Sequence, residues 1–281
     1  MNPRLFGIAA TRAPIVAILR RGPSDWSQVS RWDTAAGSVE PGAWIRANLY
    51  PQRCDLSADG RWFAYFTLRA SARWAVGPTY VAVSRLPWLT ALAAWGTAGT
   101  WTRGIQFTDH PRVLEVGRPD QGDIEPLGKR HRFGLEWTRP ISFAVERRRG
   151  WSDAPGSPPY DRERDPWDER RARSLVIQKP RPGGSGGSTL TVRGWFAAFR
   201  SGQPSWAGVT YAIAGVGEAR SLDGVQWADW DSTGRLLVAT TDGRLEVRHE
   251  PWDRTTVDWS FDLGGMRPEP MAPPAVASRW T

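Results

Sequence analysis

The chain has 281 residues, 40% of them apolar and 23% charged, with 29 glycines and 23 prolines, so it can bury a sizeable core in many short elements joined by turns rather than in long helices. One cysteine, Cys54, excludes an intrachain disulfide framework and a thiolate metal centre. The net charge of +8 is discounted as a nucleic-acid footprint, because only Lys129 and Lys179 among 37 basic residues are lysines, a bias that a GC-rich genome produces by itself.

Residues 5–10 and 15–19 read as an N-terminal pair of strands. The run that contains them is broken by Arg12 and Pro14. It is too short for a signal-peptide core or a membrane helix of ~20 residues, so the expectation is a cytoplasmic protein with no membrane partner.

The next feature is an internal repeat. Residues 54–65, CDLSADGRWFAY, lie without a gap on residues 228–239, ADWDSTGRLLVA. Each reads as a short strand, a small polar turn, Gly-Arg, and a densely apolar strand. Gly60 and Gly234 supply the positive φ of a tight hairpin turn, while Ser57, Asp59, Asp231 and Thr233 can hydrogen-bond its backbone. An almost unbroken apolar strand is expected to be covered on both faces. Residues 62–68 and 79–84 read as neighbouring strands.

From 147 to 188 the composition changes. Arg147, Arg148 and Arg149 are followed by Pro-Gly-Ser-Pro-Pro, a mixed-charge stretch at 161–173 and a Pro-Gly-Gly-Ser-Gly-Gly run. This segment is read as a flexible, charged insertion outside the sheet, with a short helix at 165–170. Beyond it, Asp242-Gly243 forms another hairpin signal, so three successive strands span roughly 225–249. Residues 266–281 are read as a Pro-rich tail or an edge brace. The whole is expected to be one all-β, propeller-like domain, with about five blades of ~40 to 45 residues and the 147–188 insertion within it.

Three blocks carry a resemblance: LYPQRCDLSADG at 49–60, VAVSRLPWLTAL at 81–92 and VQWADWDSTGRL at 225–236. Together they resemble an uncharacterised bacterial family of WD-repeat-like proteins. The blocks cover about 36 widely spaced residues, and the resemblance implies a single β-propeller-like domain and no reaction. The Gly-His opening and Trp-Asp closing of the usual WD repeat are absent.

Candidate chemistry is sparse. Gly183-Gly184-Ser185-Gly186-Gly187 has the letters of a nucleophile elbow but lacks the strand and helix that the elbow requires, so a linker is the reading. His110, His131 and His249 are too far apart for a local ligand pair, and neither metal nor cofactor is expected. Asp55 with Asp59, and Asp229 with Asp231, would place oxygens for a cation or for acid/base work, or would cap their turns. The same pattern at two equivalent places favours architecture. Among eighteen tryptophans, Trp62, Trp227 and Trp230 lie in repeat strands and read as core, whereas Trp151, Trp167, Trp206 and Trp252 lie near expected loops.

These readings converge on a non-enzymatic scaffold that presents loops to another protein, with Arg147, Arg148, Arg149, Trp151, Trp167, Arg170 and Arg171 as the partner-binding candidates. Two alternatives stay open at this level. One is a carbohydrate-active or glycan-binding propeller with paired carboxylates. The other is nucleic-acid binding through the Arg-rich insertion.

Overall fold

A computed structural model describes residues 2–68, 77–97, 104–110, 113–117, 126–127, 134–138, 144–157, 176–183, 187–194, 209–215, 219–249 and 256–280. The chain is all-β, and among the described residues its several sheets are antiparallel but for one strand pair. It divides into two compact units, Met1–Gly7 with Ser142–Met266, and Ile8–Ile141 with Arg267–Thr281. Among the described residues no helix is long and apolar enough to cross a membrane.

The first four strands are β1 (Arg4–Ala9), β2 (Ile15–Arg21), β3 (Ser27–Asp33) and β4 (Ser38–Ile45); within the unit containing 8–141, β2, β3 and β4 pair antiparallel in sequence order. Alternate residues of β3 serve different ends. Ser27 Oγ donates to the Ala47 carbonyl, and Trp32 is fully buried.

The unit containing 8–141 continues with β5 (Asn48–Leu49), a 3-10 turn (Pro51–Arg53), β6 (Asp55–Leu56), β7 (Trp62–Leu68), β8 (Thr79–Arg85), β9 (Ala91–Gly96), β10 (Ile105–Phe107), β11 (Val113–Gly117), β12 (Pro126–Leu127) and β13 (Gly134–Thr138). One sheet runs β12-β9-β8-β7-β5, with β6 also paired to β7; the other runs β10-β11-β13 and contains the parallel pair, β11 with β13. The apolar faces meet in a core of Ala64, Phe66, Val81, Val83, Ala93 and Trp95 from the first sheet and Ile105, Leu114 and Val116 from the second. The expected strands at 62–68 and 79–84 are therefore β7 and β8, paired antiparallel from Trp62–Arg85 to Leu68–Thr79.

Residues 267–280 belong to this unit, as a brace. Their 3-10 turn (Ala275–Ser278) buries Ala277 completely, and the Trp280 ring sits 5.4 Å from that of Trp62. Arg61 and Arg85 also stack over Trp62, at 6.0 and 5.6 Å.

The unit containing 142–266 holds α1 (Ala144–Arg147), β14 (Ser152–Asp153), β15 (Val176–Pro180), β16 (Thr189–Gly194), β17 (Val209–Ala214) and β18 (Arg220–Ser221), the strands ordered β14-β15-β16-β17-β18. A four-stranded sheet follows, β19 (Val225–Trp230), β20 (Leu236–Thr240), β21 (Arg244–Arg248) and β22 (Trp259–Asp262), which adds one strand to the three expected at 225–249. The expectation that 147–188 stands outside the sheet is corrected here. β14 and β15 fall within it, and Ile177 is fully buried. Val176-Ile177 supplies the apolar residues that the flanking Pro and Gly runs masked in a compositional reading. The helix expected at 165–170 lies outside the described residues.

Candidate functional site

Both repeat hairpins form where the glycines place them. Gly60 has φ +70° between β6 and β7, and Gly234 has φ +81° between β19 and β20. In each, the glycine N–H donates back three residues, Gly60 to the Ser57 carbonyl at 2.8 Å and Gly234 to the Asp231 carbonyl at 3.1 Å. A third copy closes β20 onto β21, where Gly243, with φ +96°, donates to the Thr240 carbonyl.

The polar side chains hold the turns from within. Ser57 Oγ accepts from the backbone N–H of Arg61 and Trp62 and donates to Asp59 Oδ1 at 2.6 Å. Asp231 Oδ1 accepts from the N–H groups of Thr233 and Arg235, both at 2.9 Å, and Thr240 Oγ1 accepts from Arg244 N–H at 3.0 Å. The arginine after each glycine folds back on the turn's acid: Arg61 on Asp59, Arg235 on Asp231 and Arg244 on Asp242. The match of letters hides one difference. The first hairpin closes Ser57 N–H on the Trp62 carbonyl, five residues on, and the second closes Asp231 N–H on Arg235, four residues on. Asp55 consequently pairs with Ala64, whereas Asp229 pairs with Leu237, one position short of the equivalent Val238.

The acids at the strand ends are staples. Asp55 is 2% exposed; one carboxylate oxygen accepts the Leu56 N–H at 2.8 Å and the other reaches β10, accepting the Phe107 N–H at 2.9 Å. Asp229 accepts the Trp230 N–H in the same way, and its second partner is Lys179 on β15, whose Nζ donates at 2.7 Å. The second acid of each set is engaged in its own turn, Asp59 by Ser57 Oγ and the Arg61 N–H, and Asp231 by the N–H groups of Thr233 and Arg235. Among the described residues, no three His, Cys, Asp or Glu side chains are grouped to hold a metal.

Lys179 is part of a wider lock between β15 and the β19–β20 hairpin. Its own carbonyl accepts the Trp230 indole N–H at 3.2 Å. Two residues on, Arg181 Nε donates to the Gly234 carbonyl at 2.7 Å, Arg181 Nη2 to the His249 carbonyl at 3.1 Å, and the guanidinium lies over the Trp230 ring. Tyr211 is buried on β17, and burial, then the nearby Glu146 and Asp229 charges, push its hydroxyl pKa well above the ordinary value. Sequence reasoning missed this lock because Lys179 and Arg181 sit in a stretch that looks like a linker. One signal was present: Lys179 is one of two lysines in a chain that otherwise uses arginine. Lysine brings a compact ammonium to the single Asp229 oxygen it meets, whereas a guanidinium would present a wider planar fork.

The arginine run is partly structural. Arg147, at the end of α1, makes a two-pronged ion pair with Asp153 at 3.1 and 2.5 Å, and Arg149 Nη1 donates to the Val145 carbonyl at 2.8 Å. A cation on the last carbonyls of a short helix satisfies groups that have no intrahelical donor. Arg148 between them is exposed. Trp151, expected at a binding surface, is 5% exposed, so its ring lies inside the unit and is unavailable to a partner there. Trp227 and Trp230 are buried as expected of repeat-strand residues, while Trp62 is half-buried. Trp167, Arg170, Arg171, Trp206, Trp252, Ser185 and His131 lie outside the described residues; His110 and His249 are exposed, in different units.

Cys54 is fully buried and donates to the Tyr50 carbonyl, and burial pushes its thiol pKa up to about 12. It is held as a small apolar side chain rather than as a nucleophile. No family model, curated protein or solved structure matches this chain.

Proposed function

We propose that this protein is a non-enzymatic interaction scaffold, a propeller-like protein in which each sheet acts as one blade and the loops between strands meet a protein partner. The observation that carries the reading is the fate of the repeated acids. Asp55 and Asp229 are the residues best placed by pattern for chemistry, and both are buried and engaged with backbone N–H groups or Lys179. Five sheets of three to six strands among the described residues support the blade count expected from the chain length. The kinship with bacterial WD-repeat-like proteins, read from the three sequence blocks, belongs to this proposal, as does a cytoplasmic setting.

The docking element is the arginine-bearing stretch that begins at α1. Rigid sheets hold such loops in place while the loops carry specificity. Arg148 is exposed at the anchored α1 turn, and Arg170 and Arg171 follow in the same charged stretch of sequence. The test is quantitative affinity purification from host lysate with the wild type and with Arg148→Glu/Arg170→Glu/Arg171→Glu. Specific partners are expected to fall at least tenfold in the variant. Retention of every specific partner at wild-type level removes this stretch as the docking element.

A further inference from the structure

Residues 267–274 read Arg-Pro-Glu-Pro-Met-Ala-Pro-Pro. Each proline fixes its own φ near −65°, and each residue before a proline is driven from the helical region toward extended backbone. Pro268, Pro270, Pro273 and Pro274 are constrained in the first way, and Arg267, Glu269, Ala272 and Pro273 in the second. Met271 alone escapes both. The backbone follows this logic: the stretch has neither helix nor strand, and Pro274 has φ −66° and ψ 158°, the polyproline II conformation.

A polyproline II helix has three residues per turn. That period places Arg267, Pro270 and Pro273 along one edge, Pro268, Met271 and Pro274 along a second, and Glu269 with Ala272 along the third, before the 3-10 turn that holds Val276 begins. Two apolar edges therefore run side by side, with a cation at the start of one. Both face solvent. Residues 269–276 are all exposed, and Met271 and Val276, at 44% and 42%, are two of the three exposed large apolar side chains among the described residues. The exposed stretch is also anchored, since Ala277 is fully buried and Trp280 stacks on Trp62 just beyond it.

We propose that Arg267 to Pro274 is a docking ligand for a protein domain of the SH3 type, which receives a polyproline II segment in an aromatic-lined groove with an acidic residue at one end. The groove would take Pro270 and Pro273 from one edge and Met271 from the other, and its acid would meet Arg267. The six steps from Arg267 to Pro273 cover about 19 Å at the rise of this helix, enough for two apolar slots and one charged slot. The ordering that usually opposes binding of a linear segment is already present in the backbone, which favours association. Charge points the same way. Arg267 lies near enough to the buried Arg20 guanidinium to add, after burial itself, to the lowering of its pKa, so an incoming carboxylate relieves a repulsion between two cations.

The test uses the full-length protein, titrated into isotopically labelled SH3-type domains that carry an acidic residue beside the groove and followed by amide chemical shifts. Saturable shifts confined to groove residues of at least one domain are expected. Pro270→Ala/Pro273→Ala, Arg267→Glu and Met271→Lys should each weaken that binding at least tenfold while leaving the thermal midpoint of the full-length protein unchanged. Should the proline variant be destabilised, the other two decide, because neither alters a proline or a buried side chain. An absence of shifts across the panel at millimolar protein, or equal binding by wild type and all variants, overturns the proposal. These positions share no residue with the arginine variant above, so the two outcomes are read independently.

Discussion

Lys179 on β15 and Asp229 on β19 are joined Nζ to Oδ1 at 2.7 Å, with side chains only 14% and 5% exposed. This contact ties the sheet ending in β18 to the sheet beginning with β19, and it sits beside the second of the two repeat hairpins.

Removing one member of a buried ion pair strands the other, which typically costs ~3 to 5 kcal/mol. Asp229→Asn and Lys179→Met are each expected to lower unfolding stability by about 3 kcal/mol. The double variant should lose at least ~1 kcal/mol less than the sum, because no lone charge is left behind. Urea denaturation of the four proteins measures the coupling. Strict additivity would show that the contact contributes nothing beyond its separate parts.

Gly60 is constrained twice over. Its φ is +70°, and a Cβ there would lie 2.6 Å from Ile15 Cβ, a side chain packed at 5% exposure. Gly156 has a similar φ, +76°, with open space around it. Gly156→Ala should therefore cost roughly 1 kcal/mol of backbone strain. Gly60→Ala should cost at least ~2 kcal/mol more, from overpacking. Thermal unfolding of both variants separates the two terms; equal losses would mean that Ile15 moves aside without penalty.

Stability should fall in alkali. Burial raises the Cys54 thiol from an ordinary value of 9 to about 12 and the Tyr80 hydroxyl from 10 to about 12, and it also raises Tyr65 and Tyr211. Below pH 9 these groups are protonated in folded and unfolded chains alike, and none of them makes stability depend on pH. Above pH 9 the unfolded chain releases the thiol proton first, so unfolding gains by up to about 1.4 kcal/mol per pH unit for each such group until the folded value is reached. Between pH 9 and 10 Cys54 supplies about half of that slope, and Tyr65, Tyr80 and Tyr211 together supply the rest. Urea midpoints of wild type and Cys54→Ala across that interval should diverge, the wild type declining about twice as steeply as the variant. Identical slopes would contradict the assignment.

The hairpins were legible in sequence because their determinants are local. A glycine at positive φ, a hydroxyl or carboxylate three residues before it, and an apolar run after it lie within a dozen residues. The one-residue difference in pairing between Asp55–Ala64 and Asp229–Leu237 was not legible, since it is set by whether the turn closes on Trp62 or on Arg235. The lock formed by Lys179 and Arg181 was hidden for the opposite reason. Its partners lie about fifty residues away, and Gly and Pro runs surround it. Trp151 misled because a loop-like neighbourhood says nothing of which way a ring points. The Pro-rich stretch at 266–281 was visible from composition, but its attachment depends on Trp280 meeting Trp62, a long-range stack that no local pattern announces.

The turn shared by Gly60, Gly234 and Gly243 meets its own needs. Its hydroxyl or carboxylate, its glycine and its returning arginine complete one another within about five residues. A loop that closes on itself can be copied along a chain without its surroundings having to change in concert. The adjoining strands are then at liberty to diverge, provided that they stay oily: Trp62-Phe63-Ala64 and Leu236-Leu237-Val238 have no letter in common position by position, yet each leads a strand away from the same bend.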